Sequence, residues 1–187
     1  MAPATVHVRP VGILATVRHY LPDLVYGAND GIITTFAVVA GVAGGALSRN
    51  VVLIIGVANL LADGLSMAAG NYQAIRSREG VLRAQDLPGE ESQPVRHAAA
   101  TFLAFVVAGA VPLLPYVWLG GTTSDFQVAI LLTLAALTVV GILRAIVTDG
   151  RWLRGALEMC ALGGVVAAVA YACGLLIARV AGGSSPG

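Results

Sequence analysis

Hydrophobic positions in this chain come in five long runs rather than in amphipathic stripes. Apolar residues cover whole helix circumferences over 24–47, 51–72, 98–119, 126–147 and 153–178, and each run is close to the roughly 20 residues that cross a bilayer's hydrocarbon core. Between them lie a tight polar break at Ser48, Arg49 and Asn50, a charged segment from Arg76 to Arg96, and a short turn marked by Gly120, Gly121 and Asp125. Breaks this short make antiparallel neighbours, so the first two spans form a hairpin. The pattern predicts an all-α integral membrane protein with five transmembrane helices in one domain, 21–180, between an N-terminal segment, 1–20, and a loose tail, 181–187.

Composition sharpens this picture. Hydrophobic residues make up 57% of the chain and charged residues 11%, against about a quarter charged in soluble domains, so lipid is the main solvent. The basic residues are all Arg and scattered, and net charge is +1, leaving no stripe to follow a nucleic-acid backbone. Cys160 and Cys173 sit in one apolar run at a spacing that fits neither a redox pair nor a zinc site, which predicts small core residues. The N-terminal segment does not resemble a cleavable signal peptide, and with no targeting segment in view the expected location is the cell membrane rather than an organelle.

Arginine sets the orientation. With five spans, Arg9, Arg18, the Arg residues of the 76–96 segment, Arg144, Arg151 and Arg154 fall on one side, against Arg49 and Arg179 on the other. The positive-inside rule then predicts a cytoplasmic N-terminus and a C-terminus on the opposite side. Tyr20, Tyr26, Tyr72 and Trp152 would mark the cytoplasmic interface, with Tyr116 and Trp118 at the far one.

Two carboxylates interrupt the apolar runs. An Asp at the bilayer centre costs about 2.5 to 3.5 kcal/mol on insertion scales, so Asp63, between two apolar halves of the second span, needs a polar partner, water or an ion. Asn59, Asp63 and Met67 follow at i, i+4 and i+8, each step turning about 40°, and so present an amide oxygen, a carboxylate and a thioether on one face. In the first span Asp30, Thr34, Ala37, Gly41 and Gly44 lie near one line, and Gly41 with Gly45 makes a Gly-x-x-x-Gly pair. That seam admits a close neighbour, and if the neighbour is a second copy the carboxylates come in pairs. Asn29, Asp30 and Gly31 can alternatively be read as the cap of a helix starting later. Glu158 follows Arg154 by one turn, as in a helix-end ion pair, and is at most an accessory ligand. Asp86, Glu90 and Glu91 read most simply as a solvated surface, with weak gathering of cations as the alternative. Pro112 and Pro115 interrupt the third span, which fits either a pathway lining or a simple bend.

These residues carry a resemblance. Asp30-Gly31-Ile32-Ile33-Thr34-Thr35-Phe36-Ala37-Val38-Val39-Ala40-Gly41, Ala58-Asn59-Leu60-Leu61-Ala62-Asp63-Gly64-Leu65-Ser66-Met67 with Gly70 and Tyr72, Pro112-Leu113-Leu114-Pro115-Tyr116, and Ala156-Leu157-Glu158-Met159 resemble the vacuolar iron transporter family. The resemblance spans nearly the whole chain. It implies a five-helix homodimer that carries Fe²⁺ or Mn²⁺ out of the cytosol between its protomers, in exchange for protons, with no permanently bound cofactor. By position it also implies that Asp30 is the path carboxylate of the first helix and Met67 the path methionine of the second.

The chain departs from the eukaryotic pattern at three places. Asn59 stands where the best-studied eukaryotic members have a path glutamate, and Asp63 follows one turn later. Thr34 and Thr35 occupy the neighbourhood of the first-helix proline, and the 76–96 loop is too short for the glutamate-rich cytoplasmic metal-binding domain. The expected mechanism passes the metal between Asp30 and Asp63 with Asn59 and Met67 as neutral ligands and proton exchange at the carboxylates. Two rival readings are a membrane metal sensor or scaffold that binds without transporting, and an intramembrane aspartyl protease, whose Gly-x-Gly-Asp signature is missing here because Asp63 follows Leu60-Leu61-Ala62.

Overall fold

The computed structural model describes residues 12–118, 124–148 and 150–182. Arg9, the Gly120–Gly121 turn and the tail beyond Gly182 lie outside the described residues. Helix α1 spans Ile13–Gly44, α2 Arg49–Ala84 and α3 Pro94–Gly109. A single 3₁₀ turn, Val111–Leu113, then leads into the short α4, Leu114–Trp118, followed by α5, Ser124–Val147, and α6, Trp152–Gly182. Among the described residues, five helical stretches are long and apolar enough to cross a membrane, with α3, the 3₁₀ turn and α4 counting as one.

The helices run past the apolar stretches that announce them. Helix α1 starts at Ile13, inside the segment expected to precede the membrane domain, and continues through Pro22. Asn29, Asp30 and Gly31 are therefore interior to one helix, and the capping alternative is ruled out. Arg49 and Asn50, expected as part of the break, already belong to α2. The turn is instead made at Gly45–Ser48, where Ala46 takes a left-handed φ of 53° while its N–H bonds Ala43 O at 3.1 Å and the Leu47 N–H bonds Val42 O at 3.1 Å. This pair of bonds satisfies the last carbonyls of α1. Asp86, with φ 56°, closes α2 in the same way through Leu87 N–H to Leu82 O at 2.9 Å.

Helix α1 is the centre of the bundle, packed on α3 and α6 and also touching α2 and α5. Gly27 and Gly31 bring its backbone onto that of α3 at Thr101 and Phe105, and Gly44 brings it onto α6 at Tyr171. Gly174 of α6 in turn sits on the Gly41 carbonyl and the Gly45 amide. The small-residue seam is therefore filled at its Gly41–Gly45 end by α6 of the same chain, so the close neighbour there is not a second copy. Pro112 stops α3, and Leu113 in the resulting bend fills the space above Gly56. Cys160 is half-buried while Cys173 is exposed on α6, so only the first approaches the expected core position.

Candidate metal path and its polar end

Asp30 on α1 and Asp63 on α2 are both half-buried and sit on helices that contact each other. The local sequence produces this. Val52, Gly56, Leu60 and Gly64 bury one face of α2, and Gly64 lets Phe102 and Phe105 of α3 approach. Asn59, Asp63 and Met67 occupy the flank beside that face, each half-buried. Met67 rests on the apolar cluster that includes Phe36, Leu60 and Phe105. Thr34 donates its hydroxyl to the Asp30 carbonyl at 2.8 Å, so its oxygen is committed to its own helix while keeping an acceptor lone pair.

Glu158 is exposed and accepts from Arg154 Nε at 2.9 Å, with Arg144 Nη1 at 4.0 Å. It lines a cleft of about 300 Å³ between α5 and α6 together with Arg144, Arg151 and Arg154. The structure thus puts Asp30 and Asp63 on contacting helices, with Asn59 and Met67 on the same flank as Asp63, while Glu158 is engaged in an arginine cluster.

The polar flank of α2 continues beyond Met67 to Asn71, another four residues on. Asn71 Nδ2 donates to Asp23 Oδ1 and to Thr101 Oγ1, each at 2.7 Å. Asp23 lies two turns before Asp30 on nearly the same line of α1, about 20° away. Its second oxygen, Oδ2, meets His97 Nδ1 at 2.5 Å, and Thr101 donates to the His97 carbonyl at 3.1 Å. Asp23, Thr101 and His97 are all buried. A line of polar side chains therefore runs from Asp30 and Asp63 to the end of the bundle that carries the start of α1 and the α2–α3 loop. Sequence reasoning stopped this line at Met67; the four-residue spacing to Asn71 and the seven-residue spacing back to Asp23 were the available signals.

Glu91 differs most from expectation. It was expected among solvated loop acids, but its side chain is only 13% exposed and stands between two histidines, 3.3 Å from His19 Nε2 and 2.9 Å from His97 Nε2. Glu90 keeps the expected exposed position and pairs with Arg78 at 2.8 Å.

The sequence profile of the VIT family matches residues 21–87 and 82–175. Vacuolar iron transporter 1 of Eucalyptus grandis is 24% identical over 213 aligned positions, covering 83% of this chain and 86% of that protein. Vacuolar iron transporter homolog 3 of Arabidopsis thaliana is 31% identical over 166 positions, covering 81% and 80%. A vacuolar iron transporter of Toxoplasma gondii reaches 41% over 70 residues, which is 37% of this chain and 23% of its own.

Proposed function

The chain belongs to the VIT family, a family of transporters rather than enzymes, and from that membership we propose that this multi-pass membrane protein moves Fe²⁺ or Mn²⁺ out of the cytosol in exchange for protons. The observation that carries the reading is a pair of half-buried carboxylates, Asp30 and Asp63, on contacting helices that are both long and apolar enough to cross a membrane. Two carboxylates so placed are costly without a cation or protons between them. They hold a divalent ion when ionised and protons otherwise, which couples the two fluxes. Asn59 and Met67 add a hard and a soft neutral ligand, and the thioether favours Fe²⁺ over Mg²⁺ or Ca²⁺. Thr34 offers a lone pair beside Asp30, and Glu158 remains an accessory near the arginine cluster.

The path runs along the interface of a homodimer. Supporting this, Ala58, Ala62, Ser66 and Gly70 recur every four residues on α2 and are all exposed, beside the flank that bears Asn59, Asp63 and Met67. Small residues let a second helix come close in lipid, and a two-fold copy there doubles the carboxylates. The arginine count places the N-terminus and the polar end of the bundle on the cytoplasmic side, so metal enters at Asp23 and Asn71 and moves toward Asp30 and Asp63.

The test is flux of Fe²⁺ and Mn²⁺ into proteoliposomes with and without a pH gradient, for wild type and for Asp30→Asn and Asp63→Asn. Gradient-dependent uptake lost in both variants is expected. Uptake that persists in both would overturn the carboxylate path, and metal binding without any flux in the wild type would make the protein a sensor or scaffold.

A further inference from the structure

We propose that His19, Glu91 and His97 form a second binding site for a divalent transition-metal ion at the polar end of the bundle, with Asp23 as the carboxylate that positions His97. Their ligand atoms all lie within 4.8 Å of one another, close to the span that metal–ligand bonds of about 2.0–2.2 Å bridge. Two imidazole nitrogens and one carboxylate oxygen suit Fe²⁺, Mn²⁺, Co²⁺ or Zn²⁺ and disfavour Ca²⁺ and Mg²⁺. That this ion is the transported one rests on the transport reading above; the binding site itself does not.

The proton arrangement around His97 points to a cation. Asp23 accepts from Asn71 at Oδ1, 2.7 Å, and faces His97 Nδ1 with Oδ2. An ionised Asp23 is an acceptor only, so Nδ1 carries a proton and Nε2 is the ring nitrogen left to meet a cation. Nε2 is buried and has no aligned hydrogen bond, although Glu91 Oε2 is 2.9 Å away. A carboxylate oxygen at that distance calls for a positive charge at or beside Nε2, which a metal ion shared with His19 supplies and a second ring proton alone leaves without a role for His19. The carboxylate–histidine pairing behind the ring is the usual outer-shell support of a metal-bound imidazole.

Glu91 is aimed as well. The Gln93 N–H donates to Glu91 Oε1 at 2.7 Å, which holds that oxygen to the loop and leaves Oε2 toward both rings. The loop is itself fixed, because Glu79 Oε1 on α2 accepts from the Glu90 and Glu91 amides at 2.9 and 2.7 Å. The three ligands therefore come from the start of α1, the α2–α3 loop and the start of α3, and they meet only when these elements are docked. His19 is the most open of the three, its side chain 25% exposed, and gives the ion a way in from solution.

The test uses full-length protein in detergent, Co²⁺ as an optical and calorimetric probe, and the Asp30→Asn/Asp63→Asn background, in which the path carboxylates no longer bind. The expected result is one Co²⁺ per chain retained in that background, with affinity falling at least tenfold on adding His19→Ala or Glu91→Gln, and tenfold or more with Asp23→Asn. Since Asp23→Asn also disturbs a buried network, thermal unfolding is followed for each variant. Co²⁺ is expected to raise the melting temperature of the wild type but not that of His19→Ala, each compared with its own metal-free value. In flux measurements His19→Ala raises KM for the metal and leaves uptake at saturating metal intact. Co²⁺ affinity indifferent to both His19→Ala and Glu91→Gln would overturn the site and leave a plain histidine–carboxylate ion pair. Co²⁺ bound at His19 and Glu91 in a wild-type protein that shows no flux would uphold the site and overturn only the transport reading.

Discussion

Gly31 of α1 and Phe105 of α3 meet backbone to backbone: a Cβ built on Gly31 stands 2.4 Å from the Phe105 carbonyl oxygen. Only the absence of a side chain permits that approach, and Gly31 is the immediate neighbour of Asp30. Gly31→Ala must push α1 off α3, at the upper end of the about 1–3 kcal/mol typical of overpacking, because the obstacle is backbone and not a pliable side chain. The same displacement moves Asp30 relative to Asp63. Thermal unfolding in detergent should show a lowered midpoint, and metal flux should fall with it. Gly80→Ala is the control: nothing lies within 4 Å of a Cβ there, so the exchange should stabilise α2 by about 0.5–1 kcal/mol.

The Gly41–Gly45 motif yields a sharper contrast. A Cβ on Gly44 would lie 2.2 Å from Tyr171 O and one on Gly174 would lie 2.0 Å from Gly41 O, whereas Gly41 and Gly45 themselves have only ordinary contacts at 3.5 and 3.4 Å. Ala at Gly44 or Gly174 should therefore loosen α6 from α1, while Ala at Gly41 or Gly45 should be nearly silent. Melting temperatures of the four variants decide the matter; a large loss at Gly41 or Gly45 would mean that another helix packs there.

The two outcomes trace what the sequence could and could not convey. Five apolar runs and the depth of Asp30 and Asp63 were legible because lipid forces each span to be long and apolar and makes each interrupting carboxylate conspicuous. The partner of the glycine seam was not legible, since Gly41, Gly44 and Gly45 announce a close neighbour without saying whose helix it is. The histidine site was invisible for a different reason. His19 is far in sequence from Glu91 and His97, none of the three lies in an apolar run, and Glu91 looks like any loop acid until the loop folds back on α1. Helix ends were misjudged because α1 and α2 continue through less apolar sequence outside the runs, from Ile13 before the first and to Ala84 after the second, which hydropathy alone does not register.

Arg49 ties the start of α2 to the end of the third span. Its Nε donates to the Tyr116 carbonyl and its Nη2 to the Val117 carbonyl, the latter at 3.1 Å. These are among the last carbonyls of α4, the groups a helix end leaves to outside donors, and a cation there also complements the helix dipole. Arg49→Ala should cost about 1.5 kcal/mol, the lower end of the range for charge-assisted bonds because one of them is exposed. Arg49→Lys should recover less than half, as an ammonium cannot reproduce the fork. Both effects should appear in thermal unfolding while Co²⁺ binding at the far end of α2 stays unchanged.

Met67 separates packing from coordination. Its side chain rests on the cluster of Phe36, Leu60 and Phe105, so Met67→Ala should destabilise by about 2 kcal/mol, the low end for a half-buried position. Met67→Leu conserves that volume and should cost less than about 1.5 kcal/mol, yet it removes the thioether. If sulfur is a ligand in the path, Met67→Leu should lower Fe²⁺ uptake relative to Mn²⁺, because the softer ligand matters more to Fe²⁺. A shift on the order of tenfold corresponds to about 1.4 kcal/mol of lost preference. Competition flux with both ions in the same proteoliposomes reads this ratio directly, independently of how much protein is active. An unchanged ratio in Met67→Leu, with the stability loss confined to Met67→Ala, would reduce the residue to filler between α2 and the aromatic cluster and leave the selectivity to Asp30, Asp63 and Asn59 alone.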